Sequence, residues 1–253
     1  MTFRLLETGV SPGAFNMGLD EAILGAVAEG RQPPTLRLYG WNPPTVTLGY
    51  FQGLDEEVDR EACARMGVDV VRRITGGGAV FHDAELTYSI VLPESHPRAR
   101  PGILDSYRVL CAGVVEGLAR LGLSGEFAPI NDVLVGGRKV SGNAQTRKRG
   151  CILQHGTILL DVDVDRMFAL LKVPSEKMKG KLIEDVKQRV TSLRHQLGRS
   201  VGLPEAAAAF AAGFAAALDV VLDPAQPSPE ELEEGRRIAR EKYGTEAWTG
   251  RRK

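Results

Sequence analysis

Three consecutive glycines occupy positions 76–78, within the stretch Arg72–Asp83 that reads RRITGGGAVFHD. Glycine pays the largest backbone entropy of any residue in a helix or strand, so this run predicts a loop. It follows the apolar stretch Val68–Val71 and two arginines, and a second strand-like stretch comes after it. Free N–H groups beside two cations would suit an anionic ligand. A glycine-rich hairpin turn with two solvated arginines is the alternative, and the spacing matches neither standard nucleotide-binding fingerprint.

Composition narrows the class of protein. The 253 residues include 32 basic and 32 acidic side chains, and this balance predicts no nucleic-acid partner. No apolar run approaches the roughly 18–20 residues that span a bilayer, and the first residues lead directly into a strand-like stretch, so neither a membrane segment nor a signal peptide is expected. Three separated cysteines predict free thiols in a reducing, cytoplasmic compartment. Four scattered histidines predict no metal-ligand cluster.

The order of the predicted elements indicates the fold class. Strand-like stretches dominate the first two-thirds of the chain and helical stretches the last third. We therefore expect an α+β fold with a mixed or antiparallel sheet flanked by helices. We expect one catalytic domain over residues 1–253, of which residues 224–253 form a C-terminal helical extension.

Two segments carry expectations about their polar residues. Apolar residues at three- and four-residue spacing predict a helix over Pro12–Glu29, in which Asn16, Asp20 and Glu21 lie off the apolar stripe and are expected to be solvated. The lysine-rich segment Pro174–Lys181 has no clear period, so it predicts a basic loop.

A second informative block, Asn131–Asp161, combines a hairpin with a long strand. Gly136-Gly137 predicts a two-residue turn, and the return strand is expected to break at Gly142. Lys139 follows the turn directly, where a lysine is usually an exposed edge residue. A functional role requires it to point back under the sheet, towards the glycine loop. His155-Gly156 interrupts the apolar run of the long strand, and a glycine there permits the close approach of a ligand.

These blocks together resemble the lipoate–protein ligase A family, which belongs to the superfamily of biotin/lipoate ligases and octanoyltransferases. The resemblance runs through nearly the whole chain and depends on several motifs in the right order. The motifs are RRITGGGAVFHD at Arg72–Asp83, the pair Asn131-Asp132, RKVSG at Arg138–Gly142, Arg149-Gly150, His155-Gly156, LKVPSEK at Leu171–Lys177, Gln188–Val190, and Lys242-Tyr243 with Trp248. The chain resembles the large catalytic domain of that family without its accessory domain.

The resemblance implies a fold and an activity. The fold would be the biotinyl/lipoyl ligase type, which is similar to class II synthetases. The activity would be that of a lipoate–protein ligase, which activates lipoic acid or octanoate with ATP and Mg²⁺ to an acyl-adenylate such as lipoyl-AMP. The acyl group would then pass to a lysine of an apo lipoyl domain, of the 2-oxoacid dehydrogenase or glycine-cleavage H protein type. Some relatives encode the accessory piece separately, so a small accessory subunit is a candidate partner.

The same resemblance assigns roles to residues. Lys139 would be the catalytic cation that bonds the acyl carbonyl and phosphate oxygens, and Asp132 would hold the acceptor amine, the magnesium ion or Lys139. Gly76–Gly78 would let the main chain approach the adenylate, with Arg73 nearby as a cation. The residues expected to line an acyl tunnel are Tyr39, Trp41, Val80 and Phe81. The other predicted substrate- and nucleotide-binding residues are Ala79, His82, Asn131, Ser141, Gly142, His155 and Gly156.

An octanoyltransferase is the first alternative, because several stretches, such as Glu85–Ile90, look even closer to those enzymes. They move the acyl group from a carrier protein without ATP, through a cysteine thioester, and place the nucleophile in a loop just before the hairpin. The matching segment here, Gly125–Val133, is short and contains no cysteine. Cys151 lies beside three basic residues and is the second-choice nucleophile. The nucleophile position of another transferase branch holds Ser175.

A non-catalytic acyl-sensing module is the second alternative. The intact glycine loop and Lys139 argue against it. The preference for lipoate or octanoate depends on the shape of the tunnel, which these motifs do not define.

Overall fold

The computed structural model describes residues 1–172 and 176–252, with the main chain alone for residues 176–179. The helices are α1 (Gly13–Ala28), α2 (Leu54–Glu57), α3 (Arg60–Arg65), α4 (Ile103–Arg120), α5 (Val164–Leu170), α6 (Glu176–Arg189), α7 (Leu193–Leu197), α8 (Leu203–Leu218), α9 (Pro229–Ile238) and α10 (Glu246–Thr249). The strands are β1 (Thr2–Ser11), β2 (Thr35–Trp41), β3 (Thr45–Leu48), β4 (Asp69–Arg72), β5 (Val80–His82), β6 (Glu85–Pro93), β7 (Gly125–Ala128), β8 (Asp132–Val135), β9 (Arg138–Lys148), β10 (Cys151–Leu159) and β11 (Val221–Ala225). A π-helical turn, Ala239–Tyr243, continues α9.

A large mixed sheet forms the centre of the molecule. Its strand order is β11-β1-β2-β6-β10-β9-β8-β7. In this sheet β1 runs parallel to β11 and β2, and the other neighbouring strands pair antiparallel. A smaller sheet has the order β4-β3-β5. The prediction of an α+β fold with a mixed sheet flanked by helices is confirmed.

The two faces of the large sheet carry different cores, because successive strand residues point to opposite faces. On one face Leu38 and Tyr88 pack in an apolar cluster with α4 and α8. On the other face Tyr39 and Trp41 pack with α1 and with Tyr243 of the π-helical turn. The second face also carries buried polar residues, and it is the face on which the candidate site lies.

The predicted hairpin is present, and it places Lys139 next to an irregularity. Gly136 and Gly137 have φ angles of 57° and 73°, as a primed two-residue turn requires. The pairing register between β8 and β9 shifts at Val133 and Leu134, so β9 has one extra residue beside Lys139. Such a bulge bends a strand and changes the direction of a side chain. The expected break at Gly142 is wrong, since β9 continues to Lys148.

Two further expectations about polar segments are wrong. Asn16 and Asp20 are buried, because both accept hydrogen bonds from the guanidinium of Arg37 on β2. Residues 176–181 of the predicted basic loop belong to α6, and the last turn of this helix leads to Thr191, whose N–H donates to the Lys139 carbonyl. Residues 174 and 175 of that predicted loop, including Ser175, lie outside the described residues.

In the C-terminal part, a capping box of Ser228 and Glu231 opens α9. The expected helical extension begins inside β11 and continues through α9 and α10. Within residues 1–172 and 176–252, no helix has the length and hydropathy needed to cross a membrane.

Candidate active site

A cavity of about 440 Å³ lies between the large sheet and the small sheet. Strands β2, β6, β9 and β10 line it on one side, β3 and β5 on another, and α5 and α6 contribute residues as well. Its volume is in the range of small-molecule sites, roughly 300–1,000 Å³. The apolar residues in its wall include Met17, Tyr39, Trp41, Val80, Phe81, Leu159 and Met167. Such a wall suits an aliphatic chain.

Lys139 faces the cavity and is held by an ion pair. Its Nζ lies 2.7 Å from Asp132 Oδ1, on the paired strand β8. The lysine side chain folds over Gly142, where a Cβ would lie only 2.7 Å from Cε and 2.8 Å from Nζ of Lys139. The side chains of Lys139 and Asp132 are 39% and 33% exposed, so a macromolecular substrate can reach them. Lys139 and the glycine loop therefore border the same cavity, as a functional role of Lys139 requires.

Arg73 holds the glycine loop and has no donor left for a ligand. Its five N–H groups donate to Thr47 O, Thr47 Oγ1, Thr75 Oγ1, Gly76 O and Gly78 O, at 2.8–3.1 Å. Burial lowers the pKa of Arg73 to about 10. Arg73 was expected as a cation beside the adenylate; it lies in the cavity wall, and all of its donors bond the protein itself. The Arg73 guanidinium supports the loop through the carbonyls of Gly76 and Gly78. The main chain of Gly77, Gly78 and Ala79 lines the cavity.

The N–H groups of the loop are its free donors. Because a trans peptide is planar, the N–H of Gly77 and of Ala79 point away from the carbonyls that Arg73 binds. Within the described part of the chain, no acceptor is bonded to the N–H groups of Gly76, Gly77, Gly78 or Ala79. Gly77 has a φ of +100°, which a residue with a side chain rarely adopts. The loop can therefore donate several hydrogen bonds to one acceptor in the cavity.

Two chains of polar contacts lead from Arg73 to buried carboxylates; all are hydrogen bonds except the last contact of the first chain, which is an electrostatic contact of 3.8 Å. In the first, Thr75 Oγ1 accepts from Arg73 and lies 2.7 Å from His155 Nε2, while His155 Nδ1 lies 3.8 Å from Asp20 Oδ2. In the second, Thr47 Oγ1 accepts from Arg73 and lies 2.8 Å from His82 Nε2. His82 Nδ1 then lies 2.7 Å from Glu85 Oε1. Each chain runs from a guanidinium through a hydroxyl and an imidazole to a carboxylate.

The pKa shifts agree with a neutral His155. Burial lowers the pKa of His155, and the carboxylate of Asp20 opposes that shift only in part. Burial alone would raise the pKa of Asp20, but Arg37 and His155 lower it below its usual value. A neutral imidazole with its proton on Nδ1 accepts the Thr75 hydroxyl proton at Nε2. These residues hold the glycine loop by bonds of defined direction.

Trp41 completes the second chain. Its ring stacks on the imidazole of His82, with centroids 4.1 Å apart, and its Nε1 donates to Thr87 Oγ1 at 2.7 Å. Glu85 is 3% exposed, and its Oε2 is buried without a hydrogen-bond partner among the described residues. Trp41 thus lines the cavity and also packs against the residues that hold the loop.

Most of the predicted site residues line the cavity. They are Trp41, Arg73, Gly77, Gly78, Ala79, Val80, Phe81, His82, Asn131, Lys139, Gly142, His155 and Gly156. Ser141 does not; it is fully buried, and its hydroxyl accepts a hydrogen bond from Asn143. Gly76 is also outside the wall, because its carbonyl is turned to Arg73. Asp132 reaches the cavity only through Lys139.

None of the three cysteines lines the cavity. Cys63 packs beneath the small sheet, Cys111 on the α4 face and Cys151 on the α1 face, and none is more than 2% exposed. Burial raises the pKa of all three thiols, to about 11 for Cys63 and about 12 for Cys111. Cys151 lies four residues before His155, about 13 Å along the strand. The structure therefore does not support Cys151 as a nucleophile.

Sequence reasoning missed several residues of the site. Asp20 and Glu85 lie at the ends of the two chains, Thr47 lies between Arg73 and His82 in the second chain, and the Thr87 hydroxyl donates to Glu85. One signal was present: Glu85, Thr87 and Ser89 are polar at every second position of a strand, which marks one polar face. The residues from α5 and α6 carried no such signal.

The described residues also bear on the magnesium expectation. Among residues 1–172 and 176–252, no group of three or more His, Cys, Asp or Glu side chains is arranged to hold a metal ion. Asp132, one of the candidates for holding magnesium, is paired with Lys139.

Comparison with known proteins identifies the family. A family model described as the lipoyl protein ligase A/B catalytic domain matches residues 12–215. The chain belongs to this family. An octanoyltransferase (LipM) of Geobacillus kaustophilus is 41% identical to the chain, over 99% of this chain and 98% of the relative. That alignment spans 273 positions, whereas this chain has 253 residues. The relative therefore has at least 20 residues that have no counterpart in this chain.

Solved structures share the fold. The bi-partite lipoate protein ligase of Thermoplasma acidophilum is 32% identical, with a TM-score of 0.89, and covers 99% of this chain and 97% of its own. A lipoate–protein ligase A bound with ATP is 30% identical, with a TM-score of 0.83 and 99% coverage of both chains. The predicted resemblance to this superfamily is therefore confirmed, as is the broad prediction of an enzyme.

The prediction of an ATP-dependent ligase is wrong. Octanoyltransferases are 36–43% identical to this chain over nearly the whole of both chains, against 29–32% for the lipoate ligase structures that cover it equally well. Both enzyme groups match this chain over nearly its whole length, so the general resemblance that suggested a ligase does not separate them. The transferase, which was the first alternative, agrees better with these relatives.

Proposed function

We propose that this protein is an octanoyltransferase, which moves an octanoyl group from the thioester of an acyl carrier protein to a lysine of an apo lipoyl domain without ATP. The similarity to octanoyltransferases over nearly the full chain supports this reaction. The acceptor would be a lipoyl domain of the 2-oxoacid dehydrogenase or glycine-cleavage H protein type. A thioester is already activated, so neither adenylation nor a subunit devoted to it is needed.

The observation that carries the proposal is that Lys139 and the glycine loop border one cavity with an apolar wall. The octanoyl chain would lie against the apolar wall near Trp41 and Phe81. The thioester carbonyl would then face Lys139 Nζ and the free N–H groups of Gly77 and Ala79. Such donors stabilise the negative charge that develops on the carbonyl oxygen, and this stabilisation is usually the largest contribution to acyl-transfer catalysis.

We further propose that the acyl group passes directly from donor to acceptor. The uncharged amine of the acceptor lysine attacks the thioester carbon, a C–N bond forms and the C–S bond breaks. The carrier leaves as a thiol, and it gains the proton that the nitrogen loses. A cysteine acyl-enzyme has no support here, because all three thiols are buried outside the cavity and their pKa values are raised.

Asp132 would be a positioning residue in this reaction. Its carboxylate holds the Lys139 ammonium at 2.7 Å and keeps it over Gly142. Without Asp132, the long flexible lysine side chain would have to be ordered by the substrate, which costs conformational entropy. Asp132→Asn should therefore lower kcat less than Lys139→Ala does.

The test is a transfer assay with purified protein, octanoyl carrier protein and an apo lipoyl domain, with and without ATP and Mg²⁺. We expect acylation without ATP, insensitivity to chelators, and a loss of roughly 100-fold or more in Lys139→Ala, the loss typical of removing one oxyanion donor. Lys172→Ala is the matched control, because Lys172 lies outside the cavity wall and its ammonium bonds the Asp55 carbonyl. Acylation that requires ATP would refute the proposal.

A second measurement addresses the direct route. Intact-mass spectrometry after incubation with the donor alone should show no octanoyl adduct, and Cys151→Ala should keep its activity. A donor-dependent adduct on Cys63, Cys111 or Cys151 would refute direct transfer while leaving the overall reaction standing.

A further inference from the structure

A group of cations surrounds two aromatic residues on the surface beside the glycine loop. The cationic patch consists of Lys148, Arg251 and Arg252 with Tyr50 and Phe51. Lys148 Nζ lies 5.6 Å from the centroid of the Tyr50 ring, and the Arg251 guanidinium carbon lies 4.4 Å from it. The Arg252 guanidinium carbon lies 5.4 Å from the centroid of Phe51, which is 67% exposed.

The cations of the patch have no anionic partner within the described parts of the chain. Neither Lys148, Arg251 nor Arg252 has a carboxylate oxygen within 4.0 Å there, whereas Arg199 and Arg237 elsewhere on the surface have carboxylates at 2.5–2.7 Å. Beneath the patch, buried Arg72 bonds carbonyl oxygens alone. The protein thus concentrates uncompensated positive charge at this place although its formal net charge is zero.

The patch is connected to the site through main-chain contacts. The N–H of Tyr50 donates to the Thr75 carbonyl at 2.9 Å, directly before the glycine loop. Lys148 is the last residue of β9, the strand that also carries Lys139. Lys139 Nζ packs over Gly142, six residues before Lys148, so about 20 Å of strand separates the ammonium from Lys148. None of the five patch residues lines the cavity, so the patch flanks it and does not contact a molecule bound there.

This distance distinguishes between the two macromolecular substrates. An acceptor lysine has a stem of four carbons, so the lipoyl domain must bring its own main chain close to Lys139. An acyl carrier protein presents its thioester at the end of a long flexible prosthetic arm, so its folded part can rest farther from the reacting atoms. The patch lies outside the cavity wall, and its Lys148 is about 20 Å from Lys139 along the strand, so this surface fits the donor protein better than the acceptor.

We propose that the cationic patch docks the acidic face of the acyl carrier protein that delivers the octanoyl thioester. The inference rests on the proposed function and adds the binding surface of the donor. Uncompensated cations attract an acidic partner over several ångströms and raise its rate of association, and the effect weakens as ionic strength rises. Exposed Phe51 adds an apolar contact at the centre of the patch.

The test compares donors with and without a protein part. The variants are the triple substitution Lys148→Gln, Arg251→Gln, Arg252→Gln and the single substitution Lys148→Glu. The matched control is Arg108→Gln with Arg120→Gln, two exposed arginines on the surface of α4. Each is assayed with octanoyl carrier protein and with octanoyl-pantetheine, an uncharged donor that has the thioester arm and no protein. The lipoyl domain concentration is varied in both series.

We expect the KM for octanoyl carrier protein to rise roughly tenfold or more in the patch variants, with kcat unchanged, because the patch steers association and touches no reacting atom. The KM values for octanoyl-pantetheine and for the lipoyl domain should not change. Added salt should raise the wild-type KM for the carrier and have little effect on the triple variant. The control variant should behave as wild type.

The opposite results are equally clear. An unchanged carrier KM would overturn the proposal, and a rise in the lipoyl-domain KM instead would assign the patch to the acceptor. If the triple variant unfolds, Lys148→Glu carries the same test, since the contact described for that side chain is with the Tyr50 ring.

If the wild type accepts neither donor, the proposed function fails. Direct binding of the carrier protein to wild type and to Lys148→Glu then decides the docking surface separately.

Discussion

Gly142→Ala is the most informative single substitution, because it moves the Lys139 ammonium without removing it. The new Cβ would lie 2.7 Å from Lys139 Cε and 2.8 Å from Nζ. An ordinary contact begins near 3.4 Å, so these atoms must retreat by about 0.6–0.7 Å. The lysine will move rather than the main chain, since its side chain is flexible and partly exposed while Gly142 is paired with Asp132 across the sheet.

The size of the effect follows from the displacement. A misplacement of 1 Å can cost about 100-fold in rate, and removal of one oxyanion donor costs about 100- to 1,000-fold. We expect kcat/KM for octanoyl transfer to fall about 10- to 100-fold, which corresponds to about 1.4–2.7 kcal/mol of transition-state stabilisation. The melting temperature should change little. The assay is steady-state transfer from octanoyl carrier protein to the lipoyl domain, followed by mass spectrometry of the acceptor.

The control substitution is Gly180→Ala, because a Cβ at Gly180 of α6 meets nothing within 4 Å among the described residues. It should keep full activity and stabilise the helix by up to about 1 kcal/mol. If Gly142→Ala is as active as wild type while Lys139→Ala is inactive, the position of the ammonium does not limit catalysis. The reasoning from Lys139 geometry would then be refuted.

The other predictions concern the support of the glycine loop. Gly77→Ala should lower the free energy of unfolding by about 1–3 kcal/mol in urea titrations. The reason is that φ is +100° at Gly77 and that the new Cβ would lie 2.9 Å from Arg73 Nη2. Unchanged stability would contradict this backbone conformation. Arg73→Lys should abolish transfer and lower the free energy of unfolding by about 3–6 kcal/mol. An ammonium has three donors where the guanidinium uses five, so two hydrogen bonds are lost. Each hydrogen bond from a charged group contributes about 1.5–3 kcal/mol. The pKa of His155 is lowered from its usual 6.5, so protons bind the unfolded chain more tightly, and the stability should fall as the pH drops below about 6.5. Urea titrations at several pH values should show a smaller fall in His155→Gln, and an identical fall would contradict a buried neutral imidazole.

Local patterns in the sequence predict the parts of the fold that local chemistry determines. The Gly136-Gly137 turn, the long strand around His155 and the glycine loop follow from backbone preferences, and all are present. The burial of Asp20 is not predictable in this way, because its partner Arg37 lies 17 residues away on another element. A charged residue in a helix is normally solvated, and only the tertiary fold shows the compensating guanidinium.

Sequence patterns predict which residues form the candidate site better than they predict the role of each residue. Arg73 was expected to meet the ligand, yet each of its donors is used by the loop and by two threonines. Sequence alone does not show where a guanidinium points. The choice between ligase and transferase failed for a related reason, because Lys139 and the glycine loop suit any reaction that develops negative charge on an acyl oxygen.

Arg72 has a practical consequence for work on this protein. Its guanidinium joins the carbonyls of Thr249 and Arg252 to those of Gly49 and Gln52, and the next residue in the chain is Arg73. Trimming a few residues from the carboxyl end would remove acceptors from this buried cation and loosen the support of a loop almost 180 positions earlier in the sequence. An inactive truncation would therefore be easy to mistake for evidence of a catalytic group in the tail.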